Sequence, residues 1–194
     1  MADFKNILSA IERHVKLTDA EKAVLLSLLE SRSLKANEFI AKSDETSEHF
    51  IFVAMGCLMT YYTSSDGVEH VLQFATSGWW TGDLASFQKQ TPSIYSIRAI
   101  ADTEVFLITI KGFEELLERV PKLEKYFRIL FQNSLVTHGN RIMQTISCTA
   151  EERYEAFREK YPTLEQFVPQ KYIASYLGVT PEFLSKIRRR LMAK

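Results

Sequence analysis

Residues 170–191 read QKYIASYLGVTPEFLSKIRRRL, a stretch with the pattern of two short helices joined by a tight turn. Gly178 lies at the turn, where glycine adopts a positive φ without strain. Thr180 can cap the second helix, and Pro181 fits its first position because no N–H is needed there. Ala174 is small enough to let the helices cross closely. The positions that would seal the two helices together are all apolar: Ile173, Leu177, Val179, Leu184 and Ile187.

This pattern predicts a helix-turn-helix motif, and therefore a protein that reads DNA. An ordinary helical hairpin also needs apolar seams and a turn glycine. We favour the DNA-reading motif because seven constrained positions agree and the flanking sequence is basic.

The charge distribution supports this interpretation. The whole chain is neutral, with 24 basic and 24 acidic residues. Residues 170–194 carry six basic side chains and one acid, Glu182, a net charge of +5, so the remaining residues sum to −5. A neutral protein with one basic end is expected to bind a polyanion locally. Arg188–Arg190 would also complement the carbonyl end of the last helix, and the two roles are compatible.

Composition sets the broad class. The 194 residues fit one large or two small domains, and 46% are hydrophobic, enough for a core. No apolar run approaches the ~18–20 residues that a membrane helix needs, so no membrane partner is expected. The N-terminus lacks a signal-peptide pattern. Cys57 and Cys148 lie far apart and form neither a metal-spaced cluster nor a disulfide framework, which predicts a reducing, cytoplasmic location.

The N-terminal half of the chain changes character at Leu34. Residues 3–30 read as two short helices, the second opened by a capping box that begins at Thr18. Residues 34–110 are short runs rich in β-branched and aromatic residues, and 65–67 read as a tight hairpin turn. The spacing suggests an antiparallel sandwich or barrel, with strands at Phe50–Met55, Leu58–Thr63, His70–Phe74 and Glu104–Ile110.

The C-terminal half reads as helical. A short helix at Phe113–Glu118 precedes a long one that opens at Pro121 and ends near Ser147. The long helix is too apolar for a lone surface helix, so it either lies across the β-domain or pairs with its own copy. We favour the pair, because a helix-turn-helix usually reads DNA as a dimer. A capping box at Thr149 starts a further helix that ends near Lys160. The predicted domains are 1–118, 119–148 and 149–194.

The order of β-domain, long helix and helix-turn-helix resembles the Crp/Fnr family of bacterial transcription regulators. The segment FIFVAMGCLMTYYTSSDGVEHVLQFATSGWWTGDLA is similar to the family's cyclic-nucleotide-binding barrel, with the Gly56 turn and the 66–67 hairpin in family order. The resemblance implies an α+β fold: an N-terminal antiparallel β-barrel with flanking helices, a long dimerisation helix and a C-terminal helix-turn-helix. It also implies a homodimer that senses a signal and binds double-stranded DNA at a palindromic operator, with RNA polymerase as a candidate further partner.

The resemblance places a ligand site at Gly82, Asp83, Leu84, Ala85 and Ser93, but two of these residues depart from the nucleotide-binding pattern. Asp83 stands where the family has a glutamate for the ribose, and Ser93 where it has an arginine for the cyclic phosphate. Losing the two bonds of an arginine–phosphate pair costs ~3–6 kcal/mol, or roughly two to four decades of affinity. Arg98 is an odd number of residues away from Ser93, so it should face the opposite side. We therefore expect cyclic AMP not to bind tightly.

Other cofactors are also unsupported by the residues present. An iron–sulfur sensor needs about four cysteines, and the chain has 2. The histidines, His14, His49, His70 and His138, are isolated, so none is a good haem ligand. We predict no cofactor, and an effector that is unknown or absent. Trp79 and Trp80 could wall an apolar pocket, although at least one should be core.

The second helix of the motif supplies the predicted DNA contacts. Glu182, Ser185, Lys186 and Arg189 are candidates for base edges, because these side chains donate to or accept from bases in the major groove. The candidates for phosphate are Lys171, Thr180, Arg188, Arg190 and Lys194. Many family members carry a two-stranded wing after this helix, and none is expected here.

Two other classes of function were weighed. A sensor or adaptor module would bind a nucleotide in the barrel and a protein at the helical end; exposed Phe183 suits it, but the otherwise charged surface does not. An enzyme is disfavoured, because the sequence holds no Ser/His/Asp order, P-loop, dinucleotide fingerprint or metal-ligand spacing.

Overall fold

The computed structural model describes residues 4–192, so the predicted phosphate contact Lys194 lies outside the described residues. Two short helices come first, α1 (Lys5–Glu12) and α2 (Asp19–Ser27). The capping box before α2 is confirmed: the Thr18 hydroxyl accepts from the Glu21 N–H at 3.3 Å, and the Glu21 carboxylate accepts from the Thr18 N–H at 2.7 Å. No helix within 4–192 is long and apolar enough to cross a bilayer.

Eight strands form the β-domain. They are β1 (Glu30–Leu34), β2 (Phe39–Ala41), β3 (His49–Met55), β4 (Cys57–Thr63), β5 (Glu69–Thr76), β6 (Trp80–Thr81), β7 (Tyr95–Ala99) and β8 (Thr103–Thr109), with the short helix α3 (Leu84–Lys89) between β6 and β7. Two four-stranded antiparallel sheets result, in the orders β1-β8-β3-β6 and β2-β7-β4-β5. The predicted antiparallel β-structure is confirmed; its two sheets stack on each other and are not hydrogen-bonded into one closed ring.

The turn between β3 and β4 requires glycine. Gly56 has φ of +91°, and a Cβ placed there would lie 2.6 Å from the Asp102 carbonyl oxygen and 2.5 Å from the Thr103 hydroxyl. The predicted hairpin between β4 and β5 is also confirmed, with Gly67 at φ +82°.

Helices make up the rest of the chain: α4 (Ile110–Arg119), α5 (Lys122–Ser147), α6 (Ala150–Lys160), α7 (Gln170–Leu177) and α8 (Pro181–Met192), with a 3-10 turn at Leu164–Gln166. The predicted long helix and the capping box at Thr149 are confirmed. The predicted domain boundaries stay predictions.

Three clusters of buried side chains hold these elements together. One lies between the β3-containing sheet and a helical layer of α1, α2, α4 and the first half of α5, and includes Phe52 and Phe127. A second fills the space between the two sheets with Leu34, Val53 and other aliphatic side chains. The third joins the outer face of β4 and β5 to helices α6, α7 and α8. The helix-turn-helix unit is therefore packed directly against the β-domain.

Helix α5 has two different halves. Its first half is anchored, with Leu123, Tyr126 and Phe127 buried. Its second half exposes large apolar side chains to solvent: Leu135, Val136, Ile142, Met143 and Ile146. The two roles considered for this helix thus belong to different segments, because one half lies on the β-domain and the other presents an uncovered apolar face.

Candidate DNA interface and sensor site

The helix-turn-helix has the geometry that its sequence predicts. Gly178 ends α7 in the left-handed conformation at φ +68°. The Val179 N–H donates to the Ala174 carbonyl at 3.0 Å, which closes the turn. The Thr180 hydroxyl accepts from the Phe183 N–H at 3.2 Å and so caps α8. The seam between the two helices is buried at Ile173, Ala174, Leu177, Leu184 and Ile187.

The outer face of α8 carries the predicted base-edge residues in one stripe. Glu182, Lys186 and Arg189 recur at helical spacing and are exposed, while Ser185 between them is half-buried. Thr180 remains able to donate its hydroxyl hydrogen to an anion after capping, because a hydroxyl both accepts and donates. The structure thus brings the predicted base-edge residues together on one solvent-facing surface, which we call the α8 stripe: Glu182, Ser185, Lys186 and Arg189.

The predicted phosphate contacts are already partnered. Arg190 lies 3.2 Å from the Glu151 carboxylate, and Arg188 lies 4.0 Å from that of Glu165. Lys171 sits over the Tyr172 ring, 4.7 Å from its centroid. Such exposed pairs are worth little, so a phosphate can replace the carboxylates at small cost. The sequence did not point to either glutamate.

An unpredicted set of polar contacts fastens the helix-turn-helix to the sheet. The Arg98 guanidinium donates to the Glu69 carboxylate at 2.8 Å and to the Tyr172 hydroxyl at 2.5 Å. It also lies over the rings of Tyr61 and Tyr172, at 4.9 and 5.1 Å. Ser175 accepts from the Val71 N–H at 2.9 Å and donates to the Glu69 carbonyl at 2.7 Å. Arg98 therefore serves the junction between the β-domain and α7.

A second arginine joins three parts of the molecule. The guanidinium of Arg141, on α5, donates to the carbonyls of Val71 and Leu72 on β5 and to that of Tyr176 on α7. It also stacks on the Tyr176 ring, 4.1 Å from the centroid. The long helix, the β-domain and the DNA-reading unit thus share one cation. No local pattern in the sequence indicates this role.

The predicted ligand residues do meet, but they bond to one another. The Asp83 carboxylate accepts from the N–H groups of Ala85 and Ser86 at 3.0 and 3.2 Å, and so caps α3. It also accepts from the buried hydroxyl of Ser93 at 2.8 Å. Gly82 has φ of +146°, and Leu84 begins the helix. Arg98 points away from this cluster, as the odd spacing predicts. Asp83 acts here as a helix cap with its acceptor sites in use.

The two cysteines are free. Cys57 is fully buried, and burial raises the pKa of its thiol to about 12. It is therefore a structural apolar group and not a thiolate available for chemistry.

Comparisons with known proteins agree with this architecture. Residues 31–120 match the cyclic nucleotide-binding domain family. The chain is 25% identical over 192 residues to the probable transcriptional regulator flp of Lacticaseibacillus casei, covering 90% of this chain and 82% of that one. It is 24% identical over 188 residues to the anaerobic regulatory protein of Pasteurella multocida, covering 90% and 68%. The fold superposes on FixK2 from Bradyrhizobium japonicum with a TM-score of 0.72, at 20% identity over 85% of each chain.

The chain belongs to the Crp/Fnr family. The relatives are named as regulators, so this Crp/Fnr protein is a transcription regulator and not an enzyme. Its β-domain is the family's cyclic-nucleotide-binding type, and its cassette residues are bonded internally as described above.

Proposed function

We propose that this Crp/Fnr protein is a homodimer that binds a two-fold symmetric DNA operator through α8. The observation that carries the proposal is the α8 stripe: Glu182, Lys186 and Arg189 are exposed on one face of a helix whose other face is buried at Leu184 and Ile187. A helix held in this way can enter a major groove and offer donors and an acceptor to base edges. Such a regulator would act in the cytoplasm, and RNA polymerase stays a predicted partner.

The exposed half of α5 supports the dimer. Leu135, Gly139, Ile142 and Ile146 follow one another at spacings of four, three and four residues, the pattern of a coiled-coil seam. The three apolar side chains are 75%, 61% and 76% exposed in the single chain. A Cβ at Gly139 would meet no atom within 4 Å, so this glycine lies open on the same seam and would let a second helix approach closely. A second copy of α5 is the occupant that satisfies this face.

The adaptor alternative is less well supported. Only Phe183, 45% exposed, offers an apolar anchor on the outer face of α8, whose other exposed side chains are charged. A protein-binding helix normally presents several apolar anchors at helical spacing. A DNA-binding helix presents donors and charges, as this one does.

A site-selection experiment on randomised duplex DNA tests the proposal. In the Glu182→Ala variant we expect preference at one base pair of each half-site to relax by ~1–3 kcal/mol, because a carboxylate that accepts from cytosine N4 is lost. The matched variant Lys171→Ala should lower affinity by a similar factor for all sequences, since it contacts phosphate. If the Glu182→Ala variant selects the wild-type sequence with undiminished preference at every position, α8 does not read DNA as proposed.

We further propose that cyclic AMP is not a tight ligand of the β-domain. The supporting observations are the internal bonds of Asp83 and the presence of Ser93, in place of a cation, beside it. A cyclic phosphate buried there without a counter-charge would be strongly disfavoured. Calorimetric titration of the wild type should give a dissociation constant weaker than about 10 µM. A sub-micromolar constant would contradict this proposal.

A further inference from the structure

A cavity of about 400 Å³ lies where the β-domain, α5 and the DNA-reading unit meet. Leu72 and Gln73 of β5 form one wall, α5 forms a second from Leu130 to Arg141, and Lys160, Tyr161 and Tyr176 form a third. Five aromatic rings line it: Trp79, Trp80, Phe131, Tyr161 and Tyr176, together with the buried Phe50. The cavity is large enough for a small organic molecule.

The charges around this cavity all have one sign. The lining includes Arg13, His138, Arg141 and Lys160, and no aspartate or glutamate among the described residues. Across the described part of the chain, none of the three permanent cations takes part in an ion pair. The protein therefore keeps positive charge beside an aromatic cavity without supplying a counter-charge.

Lys160 stands out in this group because its charge has no structural use. Arg141 is occupied by three backbone carbonyls. The Lys160 ammonium instead lies over two rings, 5.3 Å from the centroid of Trp79 and 5.0 Å from that of Tyr161. Burial and the nearby Arg141 lower the pKa of Lys160, and burial followed by Lys160 and Arg141 lowers that of His138. An anion at this position would relieve the repulsion between Lys160 and Arg141.

We propose that this cavity binds a small anionic compound with a flat aromatic body, its anionic group on Lys160 and its ring against Trp79. Aromatic walls with a few charged groups are the usual make-up of a small-molecule site. The site differs from the predicted cassette, because neither Asp83 nor Ser93 lines it and its cations come from α5 and α6. The ligand would touch the β-domain, α5 and α7 together. Under the proposed function it would therefore favour the arrangement in which these parts are docked, and so alter DNA affinity.

Calorimetry on the full-length protein without DNA tests the site, with 1-naphthyl phosphate as the probe. We expect saturable binding to the wild type. Binding should be about tenfold weaker or more for Lys160→Gln, because a charge-assisted hydrogen bond is lost, and for the neutral analogue 1-naphthol with the wild type. The control variant Lys125→Gln removes an exposed lysine from the first half of α5 and should bind like the wild type.

Two results would overturn the site. One is the absence of saturable heat with the wild type up to about 1 mM probe; the other is equal affinity for the wild type and Lys160→Gln, with thermal denaturation showing that the variant is folded. Because DNA is absent, failure here leaves the proposed function untouched. Probe binding by a protein that selects no DNA would instead reject the proposed function and retain the site.

Discussion

The variant Ile142→Glu should be a monomer, and should bind a symmetric operator about 10²–10⁴-fold more weakly than the wild type. The side chain of Ile142 is 61% exposed in the single chain, so the carboxylate is tolerated in the monomer. In the dimer it would face the same residue, or a close neighbour, of the partner helix inside an apolar seam. Burying a carboxylate there without a counter-charge is prohibitive, so the two copies separate.

The fall in DNA affinity follows from the loss of linkage between two reading helices. In the dimer, binding of one half-site holds the second helix at a high effective concentration near the other half-site. Analytical ultracentrifugation gives the oligomeric state, and fluorescence anisotropy with an operator obtained by selection gives the affinity. The variant Asn140→Glu adds the same charge at an exposed position of α5 off the seam, and should remain a dimer with wild-type affinity. A dimeric Ile142→Glu protein would show that α5 is not the interface.

The second large effect is that of salt. Affinity for the operator should fall by about 10³–10⁵ between 50 and 200 mM salt if the dimer neutralises roughly 6–10 phosphates. The cations available on each copy flank and follow the reading face: Lys171, Lys186, Arg188, Arg189 and Arg190. Two of them must first leave Glu151 and Glu165. Since these pairs are exposed, they reduce the affinity only slightly.

Anisotropy titrations at several salt concentrations give the slope of log affinity against log salt. The variant Lys125→Ala, changed far along the chain from the reading helix, should give the wild-type slope. A slope near zero for the wild type would mean that few phosphates are contacted, and would argue against the whole basic footprint.

Features set by local physics could be predicted from the sequence. The capping boxes at Thr18 and Thr149 depend on contacts three residues apart, and the turn at Gly178 depends on one backbone angle. The seam of the helix-turn-helix follows from the spacing of apolar residues on a helix. Each of these signals lies within a few residues of the feature it predicts, so no knowledge of the tertiary structure was needed.

The role of Asp83 shows where a family pattern can mislead. Its position in the Gly82–Ala85 run suggested a ligand acid, whereas its side chain caps α3 and accepts from Ser93. Aspartate is among the best N-cap residues, so the local sequence was equally compatible with this use. Only the arrangement of the short helix beside β7 decides between the two.

The docking of the helix-turn-helix on the sheet could not be predicted, because it joins residues about a hundred positions apart in sequence, such as Val71 and Ser175. One signal was present in β4, where five consecutive residues from Cys57 to Tyr61 are buried. The apolar run CLM shows no alternation of apolar and polar residues, which is typical of a strand covered on both faces. It indicated a covering layer, but not that α7 supplies it.

The most direct test of the central claim is selection of genomic DNA fragments by the purified full-length protein, followed by sequencing of the enriched fragments. We predict an enriched inverted repeat whose half-sites are centred about one helical turn apart, as two copies of α8 related by two-fold symmetry require. We also predict that the Ile142→Glu variant fails to enrich it. Absence of any enriched sequence, or enrichment of an asymmetric site equally by both proteins, would contradict a dimeric regulator that reads DNA through α8.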